Sequence, residues 1–194
     1  MDVSENLRYP IGRMPTVEGP VTAHQREEWI RTIESLPLRL RGAVKGLTPE
    51  QWDTPYRPGG WTVRQVVHHI PDSHLNAYIR CKLALTEDEP TIKPYDEAAW
   101  ADLIDTRATE PAVSLALLDS LHARWVVLLR TVEPSAYQRT FRHPEHGRIF
   151  SLQQLLAQYA WHSEHHLRHI TALREREMWT LWSLSSESGE RTGQ

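Results

Sequence analysis

Eleven histidines stand in this chain of 194 residues, and they are not scattered. Three lie within residues 68–74 and four within residues 162–169. A neutral imidazole offers a nitrogen lone pair to a metal ion or a proton, and its ordinary pKa of about 6.5 keeps it neutral at pH 7. The later cluster reads YAWHSEHHLRHI over residues 159–170. On a helix His162 and His166 stand at i and i+4, so their rings project from one face, a turn apart. They continue the stripe of Leu152, Leu155, Leu156 and Tyr159, which faces a core. Two imidazoles so placed form a bidentate site for a borderline metal such as zinc or nickel. His165 and His169 make a second pair, rotated by roughly 60–100° if each residue turns about 100°, and are expected nearer the flank or solvent. No Glu follows His162 directly, so the H-E-x-x-H pattern of zinc peptidases is absent, and Glu164 falls on the opposite side of the helix.

A third ligand has to come from another segment. The candidates lie in VVHHIPDSH, residues 66–74. Helical spacing ranks His74 first, in line with Ile70 and Tyr78, and His69 second, at the edge of that stripe. His68 falls well outside it. Pro71 bends the segment and loosens this ranking. A three-His site with open positions is the form of a catalytic rather than a structural metal centre. A lone buried histidine is more often hydrogen-bonded than metallated, but two facing an apolar core each need a partner.

The segments that position these residues are helical. Trp29, Ile33, Leu36, Leu40, Ala43, Val44 and Leu47 recur at three or four residues, with a kink or break expected at Pro37 and an end at Gly46. Capping boxes appear at Thr48–Gln51, Thr62–Gln65 and Ser151–Gln154. The second should open a helix to about Leu85 and the third a helix to about Glu177. A short helix is expected over 96–106. A longer one starts at Pro111, with Val113, Leu117, Leu121, Trp125, Leu128 and Leu129 inward, and ends at Pro134. Residues 137–150 read as a small β-hairpin around a Pro/Gly turn. Pro10, Gly12, Pro15, Gly19 and Pro20 make residues 1–20 an extended arm. The arm and the helices form a single domain over 1–182, followed by a polar tail over 183–194. Four substantial helices imply an all-α antiparallel four-helix bundle with a small hairpin insertion.

Composition narrows the function classes. The single Cys81 excludes an internal disulfide framework and any Cys-rich zinc or iron–sulfur site, and it falls on an apolar stripe as a core residue. Net charge is -3, without the basic excess that a nucleic-acid-binding surface needs. With no signal peptide and no long apolar run apparent, a cytoplasmic protein without membrane contact is expected. Trp29, Trp100 and Trp125 are expected in the core, Trp61 over the bundle end and Trp161 at a pocket. Trp179 and Trp182 are left for contact with a partner chain. Arg64 and Arg80 have the geometry to bind a substrate carboxylate bidentately, but surface ion pairs are the expected use.

GWTVRQVVHH (60–69) and YAWHSEHH (159–166) together resemble the YfiT-like branch of the DinB superfamily. The resemblance extends through LRYPIG (7–12), DSHLNAYIRCKLALTE (72–87) and YDEAAW (95–100), and reaches about Trp179. It implies an up-down-down-up bundle with a metal held at one end by His69, His162 and His166, so His69 displaces His74. It further implies one zinc or nickel ion per subunit, homodimerisation, and a hydrolase that activates bound water against a small-molecule substrate. One alternative is a transferase that conjugates a low-molecular-weight, bacillithiol-like thiol to an electrophile. Another is a non-enzymatic metal-binding stress protein. Cys81 being core, any reacting thiol would arrive as substrate.

Overall fold

The computed structural model describes residues 3–145 and 147–179. His146, Trp182 and the tail expected over 183–194 lie outside the described residues. The arm over 1–20 is not extended throughout. It opens with a short helix, α1 (Val3–Arg8), because its helix breakers begin only at Pro10. The four long helices are α2 (Ala23–Val44), α4 (Val63–Thr86), α7 (Pro111–Thr131) and α8 (Leu152–Arg176). Between them lie α3 (Pro49–Trp52), α5 (Glu97–Ala101) and α6 (Ile104–Ala108). The single helix expected over 96–106 is thus two short ones. A 3-10 turn over Pro134–Gln138 leads into the antiparallel hairpin β1 (Thr140–His143) and β2 (Arg148–Ser151).

The three capping boxes form as read. In each, the Thr or Ser hydroxyl accepts from the N–H three residues on, and the Gln side chain there accepts from the cap's own N–H. Thr22 caps α2 through its hydroxyl, which accepts from Gln25 N–H at 3.1 Å. Loss of one such cap costs about 1 kcal/mol. Ser151→Ala is therefore expected to lower the melting temperature by roughly 2–4 °C in a chain of this size. An unchanged melting curve would show that the cap contributes nothing. At the other end of α2, Gly46 adopts φ 73°, the left-handed conformation that glycine tolerates beyond a helix end. Arg174 of α8 also donates to the Ala43 and Lys45 carbonyls there, at 2.8 and 3.0 Å.

Side-chain pairings establish the helix directions. Val21 meets Gln153 just before α2 and in the first turn of α8, Arg39 meets Glu164, and Arg174 reaches Ala43, so these two helices run parallel. Arg130 pairs with Glu27 and Glu34 while Arg41 pairs with Asp119, so α7 runs against α2. His68 meets Ser114 and His74 meets His122, so α4 and α7 are parallel. The order is up-down-down-up.

Two apolar clusters fill the bundle. One gathers Ile33, Ala77, Cys81, Trp125, Leu129 and Leu156. The other gathers Leu36, Leu40, Val66, Ile70, Leu118 and Ile170. Each long helix contributes to both, and where α4, α7 and α8 pass from one to the other they carry histidine. The metal-ligating candidates therefore lie between two apolar layers rather than at one end of the bundle.

Some inward faces differ from expectation. On α7, Val113 and Leu117 are 57% and 44% exposed, whereas Leu115, Leu118, His122 and Val126 are buried. This helix is apolar nearly all round, so periodicity alone does not set its phase. It is also long and apolar enough to cross a membrane by length and composition, contrary to the expected lack of such a run. Its inner face is built into the bundle. Trp125 is fully buried and Trp29 half-buried, but Trp100 is 40% exposed and lies against Tyr95, because α5 turns Ala101 inward instead. Neither α2 at Pro37 nor α4 at Pro71 is broken; both helices continue through their proline.

Candidate metal centre

α4 and α8 run antiparallel past one another and bring three rings together. His69 from α4 and His162 and His166 from α8 each offer a nitrogen, all within 4.8 Å of one another. His69 Nε2 lies 3.3 Å from His162 Nε2. Zinc–nitrogen bonds of 2.0–2.1 Å in a tetrahedron place ligand nitrogens about 3.3 Å apart, so this pair already stands at chelating distance. Burial pushes the His69 pKa down to about 4 and holds those of His162 and His166 well below the usual value. All three rings are thus neutral at pH 7, the form that ligates. The donor set fits a borderline divalent metal.

His74 is fully buried and does not join this group. It stands behind His162, with Nε2 at 3.1 Å from His162 Nδ1 and Nδ1 at 2.9 Å from His122 Nε2. His122 Nδ1 in turn donates to the Ile33 carbonyl at 2.7 Å. His68 is directed elsewhere, its Nδ1 2.7 Å from Ser114 Oγ. His165 and His169, expected toward solvent, are only 7% and 3% exposed. The arm and the loop after α3 cover them. Tyr56 stacks on His169 at 3.8 Å, Tyr9 lies 6.0 Å from His165, and His169 Nε2 donates to the Arg8 carbonyl at 3.1 Å. Trp161 stacks on His165 at 4.3 Å. Trp61 packs on His69 at 4.6 Å and lies parallel to His166 at 6.4 Å, closing that side of the cluster.

His162 also faces a cavity of about 760 Å³, whose walls include Ser73, Arg80, Tyr95, Glu97 and Tyr159. Ser73 Oγ lies 3.4 Å from both Tyr159 Oη and His162 Nε2. Burial raises the pKa of both Tyr95 and Tyr159, so their phenols stay neutral. Burial also holds the Glu97 carboxyl above its usual range, with Arg80 opposing the shift. Arg80 Nε is buried without a hydrogen-bond partner among the described residues. Arg80 is therefore a cavity residue rather than a member of a surface ion pair, whereas Arg64 does pair with Asp53 at 2.7 Å.

Sequence reasoning missed His122, Ser73, Tyr95 and Glu97. His122 could have been found from its phase, since it stands four residues after Leu118 and three before Trp125, both fully buried. Tyr95 and Glu97 fall in YDEAAW (95–100), a segment of the family resemblance, but no spacing or periodicity gave either a role. They reach the cavity from the connection between α4 and α7.

Comparison with known proteins places this geometry in a family setting. The DinB superfamily profile matches residues 32–170. The chain is 50% identical over 177 residues to YfiT of Bacillus subtilis, covering 91% of this chain and 99% of that one. It is 54% identical over 175 residues to a Bacillus mycoides protein, covering 90% and 99%. Both relatives carry the provisional designation of metal-dependent hydrolase. The solved structure of B. subtilis YfiT, described as having an unusual four-helix bundle topology, superposes with a TM-score of 0.88 over 90% of this chain and 99% of that one. A four-helix bundle protein, TT2238, at 21% identity superposes at 0.54 over 76% of this chain and 98% of its own, a likeness of fold alone.

Proposed function

The chain belongs to the DinB superfamily, and from that premise we propose that it is a metal-dependent hydrolase whose ion is held by His69, His162 and His166. One observation carries this reading. His162 is at once a member of the three-His group and a wall of the 760 Å³ cavity, so the group meets a space that a small substrate can enter. A zinc or nickel ion held by three neutral imidazoles would keep its full charge and supply Lewis acidity, polarising a scissile bond and acidifying water.

The remaining chemistry belongs to the chain. The Ser73 and Tyr159 hydroxyls beside His162 orient a polar group entering from the cavity. Arg80 and Tyr95 line the same cavity and bring a guanidinium and a neutral phenol to it, donors suited to a substrate oxygen. Glu97, with its raised pKa, can hold or release a proton in the same cavity. Trp61 shields the opposite side of His69 from water.

The test is a screen of esters, amides and lactones with zinc- and nickel-reconstituted protein. Hydrolysis should disappear with a chelator and return on adding metal back. Loaded protein that hydrolyses none of these would overturn the reading. If that protein instead conjugated an added thiol to an electrophile, the thiol would come from solution. Cys81 is buried, and burial pushes its pKa up to about 11.

A further inference from the structure

We propose that His74, His122 and His169 are positioning residues that set the tautomers of His162 and His166, through rings anchored on two backbone carbonyls that their helices leave unpaired. The inference rests on the assignment of His162 and His166 as metal ligands.

The argument begins at Pro37. Within a helix the Ile33 carbonyl would accept from the N–H of residue 37, but proline has none. His122 Nδ1 fills the place at 2.7 Å. A carbonyl only accepts, so Nδ1 carries the proton. A neutral imidazole has one N–H, so His122 Nε2 must accept. His74 Nδ1, 2.9 Å away, then donates, and His74 Nε2 accepts. His162 Nδ1, at 3.1 Å from His74 Nε2, therefore donates as well. The lone pair of His162 is left on Nε2, the nitrogen 3.3 Å from His69 Nε2. Each inference follows from the one before, and the first is imposed by the backbone. Burial keeps the intermediate rings neutral: the His122 pKa is pushed down to about 4 and that of His74 well below its usual value.

A shorter line serves His166. Arg8 is the last residue of α1, so its carbonyl has no partner within that helix. His169 Nε2 donates to it at 3.1 Å, which leaves His169 Nδ1 as an acceptor. His166 Nδ1 faces that nitrogen at 3.4 Å, a long bond, and donates along it. The His166 lone pair is again on Nε2. His162 is thereby presented with Nε2, the nitrogen toward His69, already deprotonated, and the orientation of both rings is held. Partners behind metal-bound histidines are typically worth 10–100-fold in affinity.

His122 separates a tautomer role from mere packing. In His122→Gln, the amide can still donate to Ile33 O and accept from His74, whereas in His122→Phe it can do neither. Zinc affinity, measured by competition with a chromophoric chelator, should fall about 10–100-fold in His122→Phe and stay within about threefold of wild type in His122→Gln. Ring nitrogens of the metal-free wild-type protein, read by long-range 1H–15N correlation NMR, should show the proton on Nδ1 of His74, His122 and His162. A proton on Nε2 of His74 or His122 would overturn the proposal. So would zinc binding in His122→Phe equal to wild type, or an equal loss in both variants. The NMR measurement decides the matter if His122→Phe does not fold. Wild-type protein that binds no zinc refutes the metal-site assignment and this inference together, whereas zinc binding insensitive to His122 refutes this inference alone.

Discussion

Replacing His166 with alanine should remove zinc-dependent stabilisation of the protein. An ion that binds only the folded state stabilises it by about 4 kcal/mol at a free concentration a thousandfold above its Kd. In a chain of this length that is roughly 10 °C in melting temperature. His166 is one of three rings whose nitrogens lie within 4.8 Å of one another, and no other histidine in the described residues joins that group. Losing it leaves His69 and His162 as a two-point site. The fall in affinity should exceed the 10–100-fold that loss of a partner behind a ligand costs. His24→Ala is the control, because that side chain is 77% exposed and far from the cluster in the fold. Calorimetry or a thermal shift with added zinc checks the result. A zinc response in His166→Ala equal to wild type would remove this residue from the metal site.

Acid should unfold the metal-free protein over a narrow range below pH 6.5. Burial pushes the pKa values of His69, His122 and His169 down to about 4 and that of His165 to about 3. In the unfolded chain each returns to about 6.5. Above that value both states carry neutral rings, and histidine contributes no pH dependence. Below it the unfolded chain takes up protons that the folded rings refuse, so stability falls as pH falls, until the folded pKa is reached. Each such histidine costs about 1.4 kcal/mol per pH unit. Two acting independently would remove about 4 kcal/mol between pH 6.5 and 4.5, a large part of a typical domain's 5–15 kcal/mol. Asp72, raised to about 6 by burial, takes up its proton in the folded state and offsets part of this loss. Urea unfolding at a series of pH values should show this slope, with two or more protons taken up. Saturating zinc should move the loss to lower pH, since protons must then displace the ion. An unfolding free energy flat from pH 6.5 to 4.5 would contradict the burial of these rings.

The histidine cluster also shows where sequence reading stops. The i,i+4 relation of His162 and His166 is a property of one helix, and it was legible with the stripe from Leu152 to Tyr159. The choice between His69 and His74 was not. Spacing favoured His74, and family resemblance favoured His69. The structure uses both, one in the three-ring group and one behind His162. Helical spacing puts His165 and His169 on the flank because the wheel of a single helix contains no information about what lies over it. Tyr9, Tyr56 and the Arg8 carbonyl, from distant parts of the chain, supply that cover.

The sequence by itself determined what depends on neighbours a few residues apart. It specified the four long helices, the caps at Thr48, Thr62 and Ser151, the hairpin, and a pair of imidazoles on one face. Only the tertiary structure decided what those imidazoles meet. The line from Ile33 through His122 and His74 to His162 crosses four helices, and each link forms only if the spacing between helices is right to within a few tenths of an ångström. Helical spacing is set by local backbone geometry and is written in sequence order. Hydrogen bonds between helices are set by how whole faces pack, which no local pattern records.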